Sequence, residues 1–327
     1  MDKLIIFIQA PADVIHFLKI YEKEKSNKIF FVYCINVKFS FDYIKKLKLD
    51  LKVLDFIPYD FKVSFRNIFS LIGVRLKLKS LFKSNFEHFK KSKVLFFSPW
   101  YDWITFYLLD KLVKNNNQIS YYQHYLNVST EPKKTFSIKE RIILFKYKIM
   151  TGINLSYAND NLYDRLLFNI SNYQITKEKK IDSSSEINKY LYKPLDSNKN
   201  SILLIETNLN DIIDSYSKTL ISILEIYKKK GFEIIVKGHP RNGFSQSIKT
   251  LIFEEIPKYI PAELIDISSF DYVIGIHSFS LCYFSKNHNK VYSIINSFDF
   301  NNKIQKNETI KYLEVNSEYQ IKFTNPI

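Results

Sequence analysis

The stretch Lys237-Gly238-His239-Pro240-Arg241-Asn242-Gly243 concentrates the candidate chemistry of this sequence. A histidine set between two cations suits a phosphate whose charge must be neutralised as it departs. Pro240 keeps an extended segment from continuing and biases His239 toward extended backbone. By itself the stretch is equally a polar surface turn with a lone histidine. Further on, Gly275-Ile276-His277-Ser278-Phe279-Ser280-Leu281 brings a serine to the start of a helix pattern. Serine is a favoured N-cap, and the unpaired N–H groups and dipole of a helix start attract anions. Ser278 therefore reads as a cap, or as a cap that also receives a phosphate. Between the two stretches, Ile260-Pro261-Ala262-Glu263-Leu264-Ile265 offers Glu263. Its carboxylate can accept hydrogen bonds from a ribose, as acids do in nucleotide-binding α/β domains, or it is an exposed acid at a strand edge.

Such loops need strands to hold them. Short apolar runs at 4–8, 28–35, 51–56, 93–97 and 119–122 predict strands, with helix patterns at 14–21 and 103–113. After a polar stretch at 176–200 the alternation restarts. Strands are expected at 201–205, 232–236, 264–267, 271–274 and 291–295, and helices at 211–229, 247–255 and from 278. Gly231 sits where a glycine ends a helix. Alternating strands and helices mean parallel sheets. The expectation is an α/β chain of two Rossmann-like domains, 1–185 and 186–327, whose sheets face a central cleft. Ligands of such sheets bind beyond the carboxyl ends of the strands, which is where the stretches at His239 and Gly275 fall, on strands expected to be neighbours.

The chain has 327 residues and a formal net charge of +15. Nucleic acid, an anionic membrane surface and compositional drift toward Lys, Asn and Ile all account for such charge. The lysines are dispersed and no zinc-ligand array or aromatic RNA-binding motif is present, so nucleic acid ranks last. Peripheral contact with the inner face of the plasma membrane follows as a by-product of drift. Cys34 and Cys282 lie in or beside apolar stretches, which fits reduced thiols in a cytoplasmic protein. The apolar run near the N-terminus is too short for a membrane span or a signal h-region.

Lys237-x-His239-Pro240-Arg241, Ile260-Pro261-Ala262-Glu263-Leu264 and Gly275-x-x-Ser278-x-x-Leu281, in this order within 201–285, resemble the C-terminal domain of bacterial sialyltransferases. The likeness is to the lipooligosaccharide and capsule (poly)sialyltransferase type, glycosyltransferase family 52. The resemblance implies a GT-B fold. It implies inverting transfer of sialic acid, or a related nonulosonate, from a CMP-activated donor to a glycan or glycolipid acceptor. Lys237, His239, Pro240, Arg241, Glu263, Gly275, Ser278 and Ser280 would form the donor side. His239 and Ser278 would hold the CMP phosphate, His239 with a possible second role as acid, and Glu263 would hold the ribose.

The chain departs from that family twice. Phe279 takes the second hydroxyl slot, followed by Ser280. In the N-terminal domain, Tyr121-Tyr122-Gln123-His124-Tyr125-Leu126-Asn127 stands where the family carries an acidic-acidic-Gly motif. The base that an inverting transfer requires is then sought at Asp211 or Asp214, which are also ordinary first-turn acids, and after them at His124. Gln9, Ala10 and Asp13, and the aromatic pair Trp100 and Tyr101, are the acceptor-side candidates. A leaving group with one phosphate requires no divalent ion, and no Asp-x-Asp pair is present. Neither metal nor cofactor is expected. CDP-polyol phosphate transfer, CMP-Kdo transfer and an inactive CMP-sugar-binding relative stand as alternatives.

Overall fold

The computed structural model describes residues 2–58, 67–98, 102–122, 132–158, 166–168, 176–177, 185–194, 200–207, 209, 212–240, 242–286 and 288–324. The chain divides into two compact units, Met1–Glu186 and Ile187–Ile327.

The first unit runs β1 (Asp2–Ile8), α1 (Asp13–Glu24), β2 (Lys28–Ile35), α2 (Lys38–Lys46), β3 (Val53–Ile57), α3 (Ile68–Asn85), β4 (Lys93–Phe96), α4 (Trp103–Lys114), β5 (Gln118–Tyr121), α5 (Ile138–Thr151), β6 (Leu155–Tyr157), β7 (Leu166–Phe168) and β8 (Thr176–Lys177). Six strands form one parallel sheet in the order β3-β2-β1-β4-β5-β8. β6 and β7 pair antiparallel beside it in sequence. Leu4 to Ile8 are all buried, the pattern of a central parallel strand covered on both faces. Aromatic rings fill the core, with Phe86 packed on both Phe7 and Tyr33.

Two features of this unit differ from the sequence expectation. α3 and α5 carry apolar residues on more than one face. On α3, Leu71, Val74 and Leu78 are buried while Phe69, Ile72 and Leu76 are exposed, so no single apolar stripe marks the helix. β8 lies inside the polar stretch expected to be a linker, yet Ser120 pairs with Thr176 and Tyr121 with Lys177. An edge ladder needs backbone groups rather than apolar side chains.

The second unit runs β9 (Ser201–Glu206), α6 (Tyr216–Lys229), β10 (Glu233–Gly238), β11 (Glu254–Glu255), β12 (Tyr272–Gly275), α7 (Phe279–Ser285), β13 (Val291–Ser293) and α8 (Lys303–Asn316). Its parallel sheet has the order β11-β10-β9-β12-β13. The two strands expected to be neighbours, β10 and β12, thus flank β9. A chain that reverses direction of winding after its first two crossovers puts the first strand in the middle. α6 begins at Tyr216 rather than 211, because Ser215 takes a left-handed φ of 54° and breaks helical continuity. The segment expected to be helical at 247–255 is a 3-10 turn, Gln246–Leu251, followed by β11. The strand expected at 264–267 is replaced by a 3-10 turn, Ala262–Leu264, and a single bridge from Ile265 to Tyr192.

Candidate functional site

The carboxyl ends of β10, β9 and β12 bring the three sequence stretches into one cluster. β10 delivers Lys237 and Gly238. A Cβ on Gly238 would lie 2.7 Å from the carbonyl carbon of Gly243, so only glycine permits the chain to fold back here. His239 and Gly243 then exchange backbone hydrogen bonds of 2.8 Å in each direction. The Asn242 N–H approaches the His239 Nδ1 at 3.4 Å. An accepting Nδ1 leaves the ring proton on Nε2, so neutral His239 can donate from that nitrogen. Arg241 lies outside the described residues.

Lys237 is 3% exposed. Its Nζ donates to the Pro257 carbonyl at 3.2 Å and the Lys258 carbonyl at 3.3 Å. Burial lowers its pKa to about 8, against the pull of Glu263 and Glu255 in the other direction. Glu263 is buried on the 3-10 turn, not exposed on a strand edge. Its Oε1 accepts a hydrogen bond from the Ser280 Oγ at 2.9 Å. Ser280 N–H in turn donates to the Ser278 Oγ at 3.2 Å, with Ser278 as the N-cap of the short α7. Gly275 makes the turn into α7 possible. A Cβ there would sit 2.8 Å from the Ile205 carbonyl oxygen and 3.1 Å from Leu281 Cδ1. Glu263, Ser280 and Ser278 are therefore one hydrogen-bonded chain, and Lys237 feels the charge of the Glu263 carboxylate.

Sequence reasoning looked beyond the end of β9 to Asp211 and Asp214 and passed over Glu206. Glu206 is buried, accepting from the Tyr216 hydroxyl of α6 at 2.6 Å and from the Ser245 N–H beyond β10 at 3.1 Å. Its neighbour Thr207 donates to the His277 carbonyl at 3.5 Å. Burial holds the His277 imidazole below the usual histidine range. The signal was present: an acid closes the apolar run Ile202–Ile205 at the carboxyl end of its strand. Asp214, a candidate base, is exposed on the turn before α6, tied through its N–H to the Asp299 carbonyl at 3.2 Å. Asp211 lies outside the described residues.

In the first unit Gln9, Ala10 and Asp13 are all buried. Asp13 Oδ2 accepts from the Gln9 N–H at 2.7 Å and the Ala10 N–H at 2.8 Å. The Gln9 side chain donates to the Ser98 carbonyl and accepts from the Ser98 N–H, each at 3.1 Å. These side chains join the ends of β1 and β4. Asp102, also buried, caps α4 by accepting from the Thr105 N–H and hydroxyl, each at 2.7 Å, while burial pushes its carboxyl up. His124, Trp100 and Tyr101 lie outside the described residues.

No family model and no curated protein matches this chain. Among solved structures it is similar to a UDP-N-acetylglucosamine 2-epimerase of Listeria monocytogenes, at 12% identity over 99% of this chain and 92% of that one, with a TM-score of 0.49. It is similar to the UDP-GlcNAc 2-epimerase of Neisseria meningitidis bound to UDP-GlcNAc, at 12% identity over 100% of this chain and 95% of that one, with a TM-score of 0.48. It is also similar to the E. coli heptosyltransferase WaaC with ADP-2-deoxy-2-fluoro heptose, at 11% identity over 90% of this chain and 88% of that one, with a TM-score of 0.44.

Proposed function

We propose that the second unit binds the nucleotide of an activated sugar and that the chain is a GT-B glycosyltransferase. Its donor in this reading is CMP-sialic acid or a related CMP-nonulosonate, and its acceptor a bacterial surface glycan or glycolipid. The observation that carries the reading is the 2.9 Å bond from Ser280 to buried Glu263. It ties the ribose candidate to the helix-opening motif, and Lys237 is coupled to the same carboxylate. A carboxylate held by a hydroxyl is oriented to accept from ribose hydroxyls. A buried ammonium bonded only to carbonyls gains most from an arriving phosphate.

When the acceptor hydroxyl attacks the anomeric carbon, the bond from that carbon to the phosphate oxygen breaks and its electron pair leaves with CMP. His239 donates an Nε2–H hydrogen bond to the departing phosphate, and Lys237 supplies positive potential behind it. The acceptor proton passes to a base, with Asp211, Asp214 and His124 as the candidates.

The test is CMP release from CMP-sialic acid by the full chain, with EDTA, with and without galactosides and sialosides. His239→Ala is expected to slow release by about 100-fold or more. Glu263→Gln is expected to weaken CMP binding about tenfold, read as a smaller thermal shift. Stabilisation by CMP without release redirects the donor search to CMP-Kdo and CDP-polyols, or marks an inactive binder. Neither release nor stabilisation overturns the reading.

A further inference from the structure

Among the described residues of the first unit, every exposed large apolar side chain lies on α3 or α5. Scattered exposed apolar residues are ordinary, but clustering on two helices is not. Phe69 is 78% exposed on α3, and Ile138 and Phe145 are 79% and 63% exposed on α5. Their neighbours Ile72, Leu76 and Ile142 continue the pattern at helical spacing. The two helices pack beside one another, and the Arg75 guanidinium of α3 lies against Gly152, which closes α5.

The charge on this pair is one-sided. α3 carries Arg75, Lys77, Lys79 and Lys83 with no acid. α5 carries Lys139, Arg141, Lys146 and Lys148 against a single acid, Glu140. That acid is already committed, to Lys133 at 2.8 Å and to the Ser137 N–H of the capping box at 2.7 Å. A covering surface must therefore supply an apolar bed and dispersed negative charge together. An anionic lipid surface supplies both. A second copy of the same face would set these cations against themselves.

We propose that the α3–α5 face docks the chain on an anionic lipid bilayer. Phe69, Leu76, Ile138 and Phe145 enter the boundary between headgroups and acyl chains, while Lys79, Lys83, Lys139 and Arg141 meet the headgroups. No helix among the described residues is long and apolar enough to cross a membrane, and the proposed contact lies in the plane of the surface. It stands apart from the donor reading, which concerns the other unit.

The experiment is co-flotation of the full chain with vesicles of phosphatidylglycerol and phosphatidylcholine, against vesicles of phosphatidylcholine alone. The wild type is expected to bind the anionic vesicles at least about tenfold more tightly than neutral ones, and to lose most of that in about 0.5 M salt. The triple variant Phe69→Ser, Leu76→Ser, Phe145→Ser alters only exposed side chains. It is expected to keep the wild-type melting temperature and lose at least about tenfold in anionic-vesicle binding. Lys79→Ala with Lys83→Ala gives a second, milder loss with the apolar face intact. Wild-type protein that does not float overturns the proposal. So does a serine variant that floats as well as wild type, because the net charge alone then accounts for binding. A concentration-dependent dimer that the serine variant abolishes, without vesicle binding, assigns the face to a second copy and also overturns it.

Discussion

At the end of β1, Asp13 takes up two backbone N–H groups and Gln9 clasps Ser98 across to β4. At the end of β9, the second sheet places glycines on the flanking strands, a buried lysine bonded to carbonyls, and a glutamate held by a serine hydroxyl. Both sheets share the same central strand order, with the first strand between the second and the fourth. In the first unit the Asp13 carboxylate and the Gln9 side chain at that position hold the chain to itself. In the second, the Lys237 ammonium bonds to the Pro257 and Lys258 carbonyls, and in the proposed donor site a phosphate would meet its charge. One topology thus carries a closed knot in one unit and the proposed donor site in the other, and side-chain chemistry at the strand ends makes the difference.

The largest effect is expected at the knot. Asp13→Ala strands two buried N–H donors that now bond to a charged acceptor, at a cost of roughly 3–5 kcal/mol. Both tryptophans, Trp100 and Trp103, belong to the first unit, so tryptophan fluorescence in a urea titration reads the change. A midpoint within error of wild type would mean the knot does not hold β1 to β4.

Next comes Lys237. Its folded pKa of about 8 lies below its ordinary value, so between pH 8 and 10 the unfolded chain binds the extra proton and stability rises with pH. The gain of wild type over Lys237→Met across that window is expected to be on the order of 3 kcal/mol. CMP binding is expected to move the opposite way, weakening as pH rises through 8 and the ammonium loses its proton. Isothermal titration at pH 7 and pH 9 checks this, and a Lys237→Met variant with the same pH dependence as wild type breaks the link.

The smallest pair contrasts two glycines. Gly275→Ala forces a Cβ against the Ile205 carbonyl and is expected to cost about 1–3 kcal/mol by far-UV circular dichroism. Gly73→Ala, on α3 with open space around the new Cβ, is expected to stabilise by about 0.5–1 kcal/mol.

Parts of the site were legible from residue types alone. His239, Glu263 and Ser278 stand in short runs whose chemistry is local, and strands such as β2 announce themselves by continuous apolar residues between turn signals. Glu206 was harder to see, because a single acid at a strand end gains meaning only when Tyr216 and Ser245 are found to bond it. α3 and α5 were hidden because their apolar residues face both the core and the outside.

The sequence by itself determined two α/β units with parallel strands and the residue types at the strand ends, since periodicity and turn chemistry are properties of neighbours along the chain. Only the tertiary structure decided that β9 lies between β10 and β12, that Glu263 is buried against Ser280, and that Lys237 is stripped of water. Strand order, burial and the resulting shift in Lys237 come from contacts between residues far apart in the chain, and no local pattern encodes them.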